Sequence, residues 1–124
     1  MREPLHGVVV CHGDLAPALV ASAEEITGVR GRLVPVSNTG CDRTALEQRI
    51  VDAVGGRPSI VFVDMPSGSC LFAAMRRSTQ MTDVRMVTGV NLAMLLDFIF
   101  QTDVTIDQAA ERAIETGAKA ISSR

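Results

Sequence analysis

The chain has 124 residues, 47% hydrophobic but only 3% aromatic, with no Trp or Tyr and a formal net charge of −2. That length suits one domain spanning residues 1–124, able to bury a core without disulfides or metal. The near-neutral balance gives no broad basic surface, which excludes nucleic acid as an expected partner. The opening Met1-Arg2-Glu3-Pro4-Leu5-His6 carries no apolar signal core and no apolar run approaches a membrane span, so a cytoplasmic protein is expected.

Strand and helix signals alternate along the chain, the pattern of a βαβ series. Gly7-Val8-Val9-Val10-Cys11 reads as the first strand, followed by His12-Gly13-Asp14 and a helix on which Leu15, Leu19, Ala23 and Ile26 fall at helical spacing. Pro17 is tolerated in its first turn, and Gly28 supplies a stop. Arg32-Leu33-Val34-Pro35-Val36 reads as a second strand, and Pro35 argues for the sheet edge because proline cannot donate to a ladder. Asp42 can cap the next helix, whose apolar face is Leu46, Ile50, Val51 and Val54 and whose end is Gly55-Gly56.

The third strand, Ser59-Ile60-Val61-Phe62-Val63-Asp64, is a continuous apolar run of the kind buried on both faces of a parallel sheet. Met65 to Ser69 forms a turn, and a helix follows through Cys70 to Arg77. Asp83 to Gly89 is a fourth strand. Asn91 can cap a helix from Leu92 to Phe100 that is more apolar than one buried face requires, which suggests cover by the sheet or by a partner subunit. Thr105-Ile106-Asp107-Gln108 has the capping-box pattern and opens a last helix through Ala109, Ala113 and Ile114 to Gly117, leaving a tail from Ala118 to Arg124.

With the second strand at an edge, right-handed crossovers give the order 2-1-3-4 in an open, mainly parallel sheet with helices on both faces, a three-layer α/β/α fold. The carboxyl ends of the first and third strands then meet, bringing His12 beside Asp64 at the topological switch point. A carboxylate that accepts from one ring nitrogen fixes the tautomer of an imidazole and leaves the other nitrogen free for nucleophilic attack. From the residues alone, a plain loop histidine and a turn-capping Asp64 remain the alternatives.

Ser67-Gly68-Ser69 places two hydroxyls and several backbone amides at a helix N-terminus, a general solution for holding an anion. No P-loop lysine pattern and no G-x-G-x-x-G occur, so the anion would not belong to a bound nucleotide. The G-x-S-x-G elbow of serine hydrolases is absent too. Cys11, Cys41 and Cys70 lack C-x-x-C spacing and read as small buried hydrophobes; no metal or cofactor is expected. On this reading the histidine itself accepts a phosphoryl group and passes it on.

At these residues the chain resembles the enzyme IIA component of the mannose/fructose/sorbose family of the bacterial phosphoenolpyruvate-dependent sugar phosphotransferase system (PTS). Three segments carry the likeness: His12 to Ala16 with Leu19, Ser22-Ala23-Glu24, Ile26 and Gly28; Asp64 to Ser69, similar to an Asp-x-x-Gly-Gly-Ser-Pro turn; and Gly89 to Asp97, with Glu115-Thr116-Gly117 near the end. The resemblance implies a single domain that receives phosphate on His12 from the phosphocarrier protein HPr and hands it to a separate IIB protein. It implies that Asp64 orients His12, that Ser69 with neighbouring amides holds the phosphoryl group, and that the chain is a homodimer exchanging a C-terminal antiparallel strand. The membrane would be reached only through transporter subunits.

Two positions depart from the pattern, Ser67 for its first glycine and Cys70 for its proline. If position 67 takes a positive φ, Ser67 is strained there, whereas Cys70 restores an N–H that proline lacks. A regulatory module switched by His12 phosphorylation, and the phosphotransfer subunit of a phosphoenolpyruvate-dependent dihydroxyacetone kinase, stand as alternative functions.

Overall fold

A computed structural model describes residues 3–124; Met1 and Arg2 of the opening segment lie outside the described residues. The elements in order are β1 (His6–Cys11), α1 (Leu15–Thr27), β2 (Leu33–Ser37), α2 (Arg43–Val54), β3 (Ser59–Val63), α3 (Ser69–Ser78), β4 (Val84–Thr88), α4 (Leu92–Phe100) and α5 (Ile106–Lys119). The strands pair in the order β2-β1-β3-β4, all parallel, as the alternation and Pro35 led one to expect. Pro35 lies exposed on edge strand β2, where no further strand asks for its missing donor.

Helices cover both faces. On one, Val9, Ile60, Phe62 and Val87 pack under α1, α4 and α5. On the other, Val8, Val10, Val61 and Val63 meet Leu46, Ile50 and Val54 of α2 and Leu71, Ala73 and Ala74 of α3. Phe62 and Phe98 pack edge to face, ring centroids 5.1 Å apart. Gly7 makes room for them: a Cβ there would lie 2.6 Å from Leu33 Cδ2 and within 3.1 Å of both rings.

The helix caps follow the sequence chemistry. Asp42 accepts from the Ala45 amide, Asn91 from the Met94 amide, and Thr105 with Gln108 closes a capping box. Gly28 and Gly55 end α1 and α2 in the left-handed conformation.

Three helix details differ from expectation. The inward stripe of α1 is Ala16, Val20 and Ala23, while Leu15 and Ile26 are 45% and 61% exposed. On α5, Ala109, Ala110 and Ala113 are buried and Ile114 faces out. In both cases small residues let the helix approach the sheet closely, and the bulkier apolar residue one step around the helix turns outward. Gly117 does not stop α5 but lies buried inside it, where a Cβ would meet Met94 Cε at 2.5 Å; its carbonyl accepts from Asn91 Nδ2. Asp97 completes this clamp between α4 and α5 by accepting from Arg112 and Thr116.

After α5, which runs to Lys119, residues 120–124 are exposed and without strand. Among the described residues the sheet of this single chain holds the four parallel strands and no antiparallel one. No helix among them is long and apolar enough to cross a membrane.

Candidate active site

β1 and β3 are neighbours, and their carboxyl ends deliver the two central groups. The ladder continues one step past the Val10–Val63 pair, with the Asp64 amide donating to the Val10 carbonyl at 3.3 Å. That register sets the Asp64 side chain against His12. Its Oδ2 accepts from the His12 backbone amide at 2.9 Å and meets ring Nδ1 at 2.8 Å. A carboxylate offers acceptors only, so this contact places the ring proton on Nδ1 and the lone pair on Nε2. The Asp64 side chain is 9% exposed and that of His12 is 38% exposed, so a buried group orients a ring that reaches solvent.

Nε2 faces the turn before α3. It lies 3.5 Å from Ser69 Oγ, and a Cβ on Gly68 would come within 3.4 Å of it. Gly68 has φ 92° and ψ −177°, a conformation open essentially to glycine alone. It caps α3, whose ladder starts when the Phe72 amide donates to the Gly68 carbonyl. The amides of Ser69, Cys70 and Leu71 have no carbonyl one turn behind them, which makes the helix N-terminus beside Nε2 an anion cradle. The structure thus brings His12, Asp64, Gly68 and Ser69 together. Ser67 lies exposed in the same turn, and it escapes the strain considered for it because the positive φ falls on Gly68.

Both neighbouring thiols are sealed in. Burial, and then the charge of Asp64, push Cys11 up to about 12 and Cys70 up to about 11, so neither is a ready nucleophile at neutral pH.

The end of β2 contributes residues that sequence reasoning missed. Asn38 Oδ1 accepts from the Gly13 amide at 3.0 Å, and Ser37 Oγ donates to the Gly13 carbonyl at 2.6 Å. Arg49 of α2 pins this segment by donating to the carbonyls of Ser37 and Thr39. The residue after His12 is therefore held through both of its backbone polar groups. The readable signal was the polar run Ser37-Asn38-Thr39 at the end of a strand already assigned next to β1.

Apolar side chains rise from the same loops and first turns: Leu15, Met65 and Phe72 are 45%, 43% and 51% exposed, and Arg43 sits 5.8 Å over the Phe72 ring. A cleft of about 350 Å³ lined by Val51, Val54, Arg57, Met81 and Val84 opens instead at the amino-terminal end of the strands. The His12 side chain is 38% exposed, with Leu15, Met65 and Phe72 on neighbouring loops and first turns.

The family described as "PTS system fructose IIA component" matches residues 7–114. No curated protein matches the sequence significantly. Among solved structures, the fold is similar to phosphotransferase system component EIIA from Streptococcus agalactiae, with TM-score 0.88 and 19% identity over 96% of each chain. It is similar to the mannose/sorbose specific IIA subunit from Enterococcus faecalis, with TM-score 0.86 and 20% identity over 98% of this chain and 96% of that one. A sigma-54 interaction domain protein from Enterococcus faecalis shares it too, with TM-score 0.77 and 12% identity over 94% and 93% of the chains. With nearly the whole domain matched and the same parallel order and layers, the chain belongs to the mannose-type IIA component family of the sugar phosphotransferase system, a family of phosphotransfer components.

Proposed function

We propose that the protein is a phosphohistidine carrier that accepts a phosphoryl group from phospho-HPr on His12 and passes it to a separate IIB protein, for sugar uptake and phosphorylation. The observation that carries this reading is Asp64 on Nδ1, which leaves Nε2 as the free nitrogen, aimed at Gly68 and Ser69. In the transfer, the Nε2 lone pair forms an N–P bond as the donor's N–P bond breaks, and that electron pair returns to the donor imidazole. His12 keeps its Nδ1 proton and gains positive charge, which the Asp64 carboxylate offsets. Ser69 Oγ and the first amides of α3 donate to the phosphoryl oxygens, with the Ser67 hydroxyl at the rim of the turn. Discharge to the IIB protein is the same displacement in reverse, and catalysis is positioning plus electrostatics.

In this reading the carrier works in the cytoplasm and meets the membrane only through transporter subunits. Exposed Phe100, Ile114 and Ile121, at 64%, 60% and 80%, support a homodimer through the α4–α5 side.

The test is incubation with phosphoenolpyruvate, enzyme I and HPr. Wild type takes up an acid-labile, alkali-stable label that a IIB protein discharges; a His12→Ala protein that still takes up the label overturns the assignment. A second reading, a regulatory module whose phosphorylated and free forms bind a target differently, is favoured by the occurrence of this fold in a sigma-54 interaction domain protein. Label that no IIB protein removes, together with target binding that changes on His12 phosphorylation, would select it. Discharge to a dihydroxyacetone-kinase subunit would select the remaining alternative.

A further inference from the structure

We infer that His12, Asp64 and Cys70 form a binding site for a borderline-soft divalent cation of the zinc type, and that its occupancy takes the His12 ring out of phosphoryl transfer. The second half rests on the carrier reading; the first does not.

The three residues bring a ring nitrogen, a carboxylate oxygen and a thiol sulfur within 4.8 Å of one another. Zinc bound to such donors at about 2.0–2.3 Å sets them about 3.5 Å apart, so roughly 1 Å of side-chain closure completes the site. The carboxylate has an unused oxygen. Oδ2 already serves the His12 amide and ring, while Oδ1 is sealed from water with no hydrogen-bond partner. A buried acceptor left empty is costly, and a cation is one way to satisfy it. The Asp64 side chain is more than nine-tenths buried, which holds that oxygen in place.

Cys70 is fully buried in the first turn of α3, where the turn pattern of the resemblance has proline, so the sulfur donor is this chain's own departure from that pattern. One sulfur, one nitrogen and a single carboxylate suit zinc, whereas calcium and magnesium want six or more oxygen ligands. Of the three, the His12 side chain is the most exposed, at 38%.

The charge closes as well. The sulfur–metal bond forms as the Cys70 proton leaves to solvent, so a thiolate, a carboxylate and a neutral imidazole meet a doubly charged cation and sum to zero. Nothing is oxidised or reduced. With a ring lone pair and the Asp64 carboxylate both turned to the cation, His12 is neither free nor oriented to attack phosphorus.

The experiment titrates the full chain with zinc by calorimetry and with cobalt by absorption spectroscopy, beside Cys70→Ser, Cys70→Ala and Cys41→Ser. The expected result is one ion per chain, a thiolate-to-cobalt charge-transfer band in wild type and Cys41→Ser, and loss of that band with at least tenfold weaker zinc binding in both Cys70 variants. Circular dichroism confirms that the variants fold, and two different replacements guard against one that does not. Wild type that takes up no zinc at tens of micromolar, or Cys70 variants that bind it as well as wild type, would overturn the site. Phosphorylation by phospho-HPr is then followed with and without zinc, each protein against its own metal-free rate. Wild type should be inhibited at tenfold lower zinc than Cys70→Ala, and equal sensitivity would overturn the blocking role. A protein that binds zinc but is never phosphorylated would count against the carrier reading and leave the cation site standing.

Discussion

Asp64 Oδ2 holds His12 twice, accepting from its backbone amide at 2.9 Å and meeting ring Nδ1 at 2.8 Å. One buried oxygen therefore sets both where the strand end sits and which ring nitrogen faces solvent. Asp64→Asn keeps a similar shape but removes the charge that offsets the imidazolium-like transition state. Single-turnover transfer from phospho-HPr is expected to slow about 100-fold with the fold retained. An unchanged rate in quenched-flow measurements would reduce Asp64 to a structural cap.

Gly68 lies close against the His12 ring. At φ 92° an alanine is strained, and its Cβ would stand 3.4 Å from His12 Nε2, the nitrogen proposed to accept the phosphoryl group. Gly68→Ala should lose about 1–3 kcal/mol of stability to urea, and phosphorylation of His12 should fall by more than that stability loss explains. A variant with wild-type stability and transfer would show that the turn adapts freely.

Asn38 acts through the backbone, as a positioning residue. Removing its side chain in Asn38→Ala frees the Gly13 amide and loosens the segment behind His12. The expected outcome is about a tenfold slower transfer step, with donor concentration dependence unchanged and with rescue by Asn38→Asp, which restores an acceptor. A change confined to donor affinity would instead assign Asn38 to the docking face.

The α4–α5 clamp should show in the pH dependence of stability. Burial alone would raise the Asp97 carboxyl, but hydrogen bonds from Arg112 and Gln101, the Arg112 charge and the Thr116 hydroxyl outweigh it and hold the group below its usual value. A carboxyl lowered in the folded state contributes stability above its ordinary range and loses it as pH falls through the lowered value. Asp97→Asn should cost about 1–3 kcal/mol at pH 7, with the gap to wild type closing as the medium is acidified below the ordinary carboxylate range. A gap independent of pH in urea titrations would contradict the charge-based clamp.

How much of this was legible in the sequence varies by element. Pro35 placed β2 at the edge, the unbroken apolar run through Val63 placed β3 in the centre, and those two facts were enough to set His12 beside Asp64. Periodicity failed where two apolar stripes lie side by side on one helix: Leu15 and Ile26 were as apolar as Val20, yet only close packing by Ala16 and Ala23 decides which stripe turns inward. Gly117 looked like a stop because a helix glycine usually is one, and its actual use, letting α5 close on Met94, depends on a partner 23 residues away. Ser37 and Asn38 escaped because a polar strand end has many uses and only the fold brings Gly13 to it.

The most direct measurement identifies the phosphorylated atom. Phosphorus–proton NMR of the protein charged by phospho-HPr should place the phosphoryl group on Nε2 of His12, the nitrogen left free by the Asp64 contact and facing Ser69. Phosphate on Nδ1 of His12, on His6, or on no histidine would contradict the assignment of His12 as a carrier oriented by Asp64.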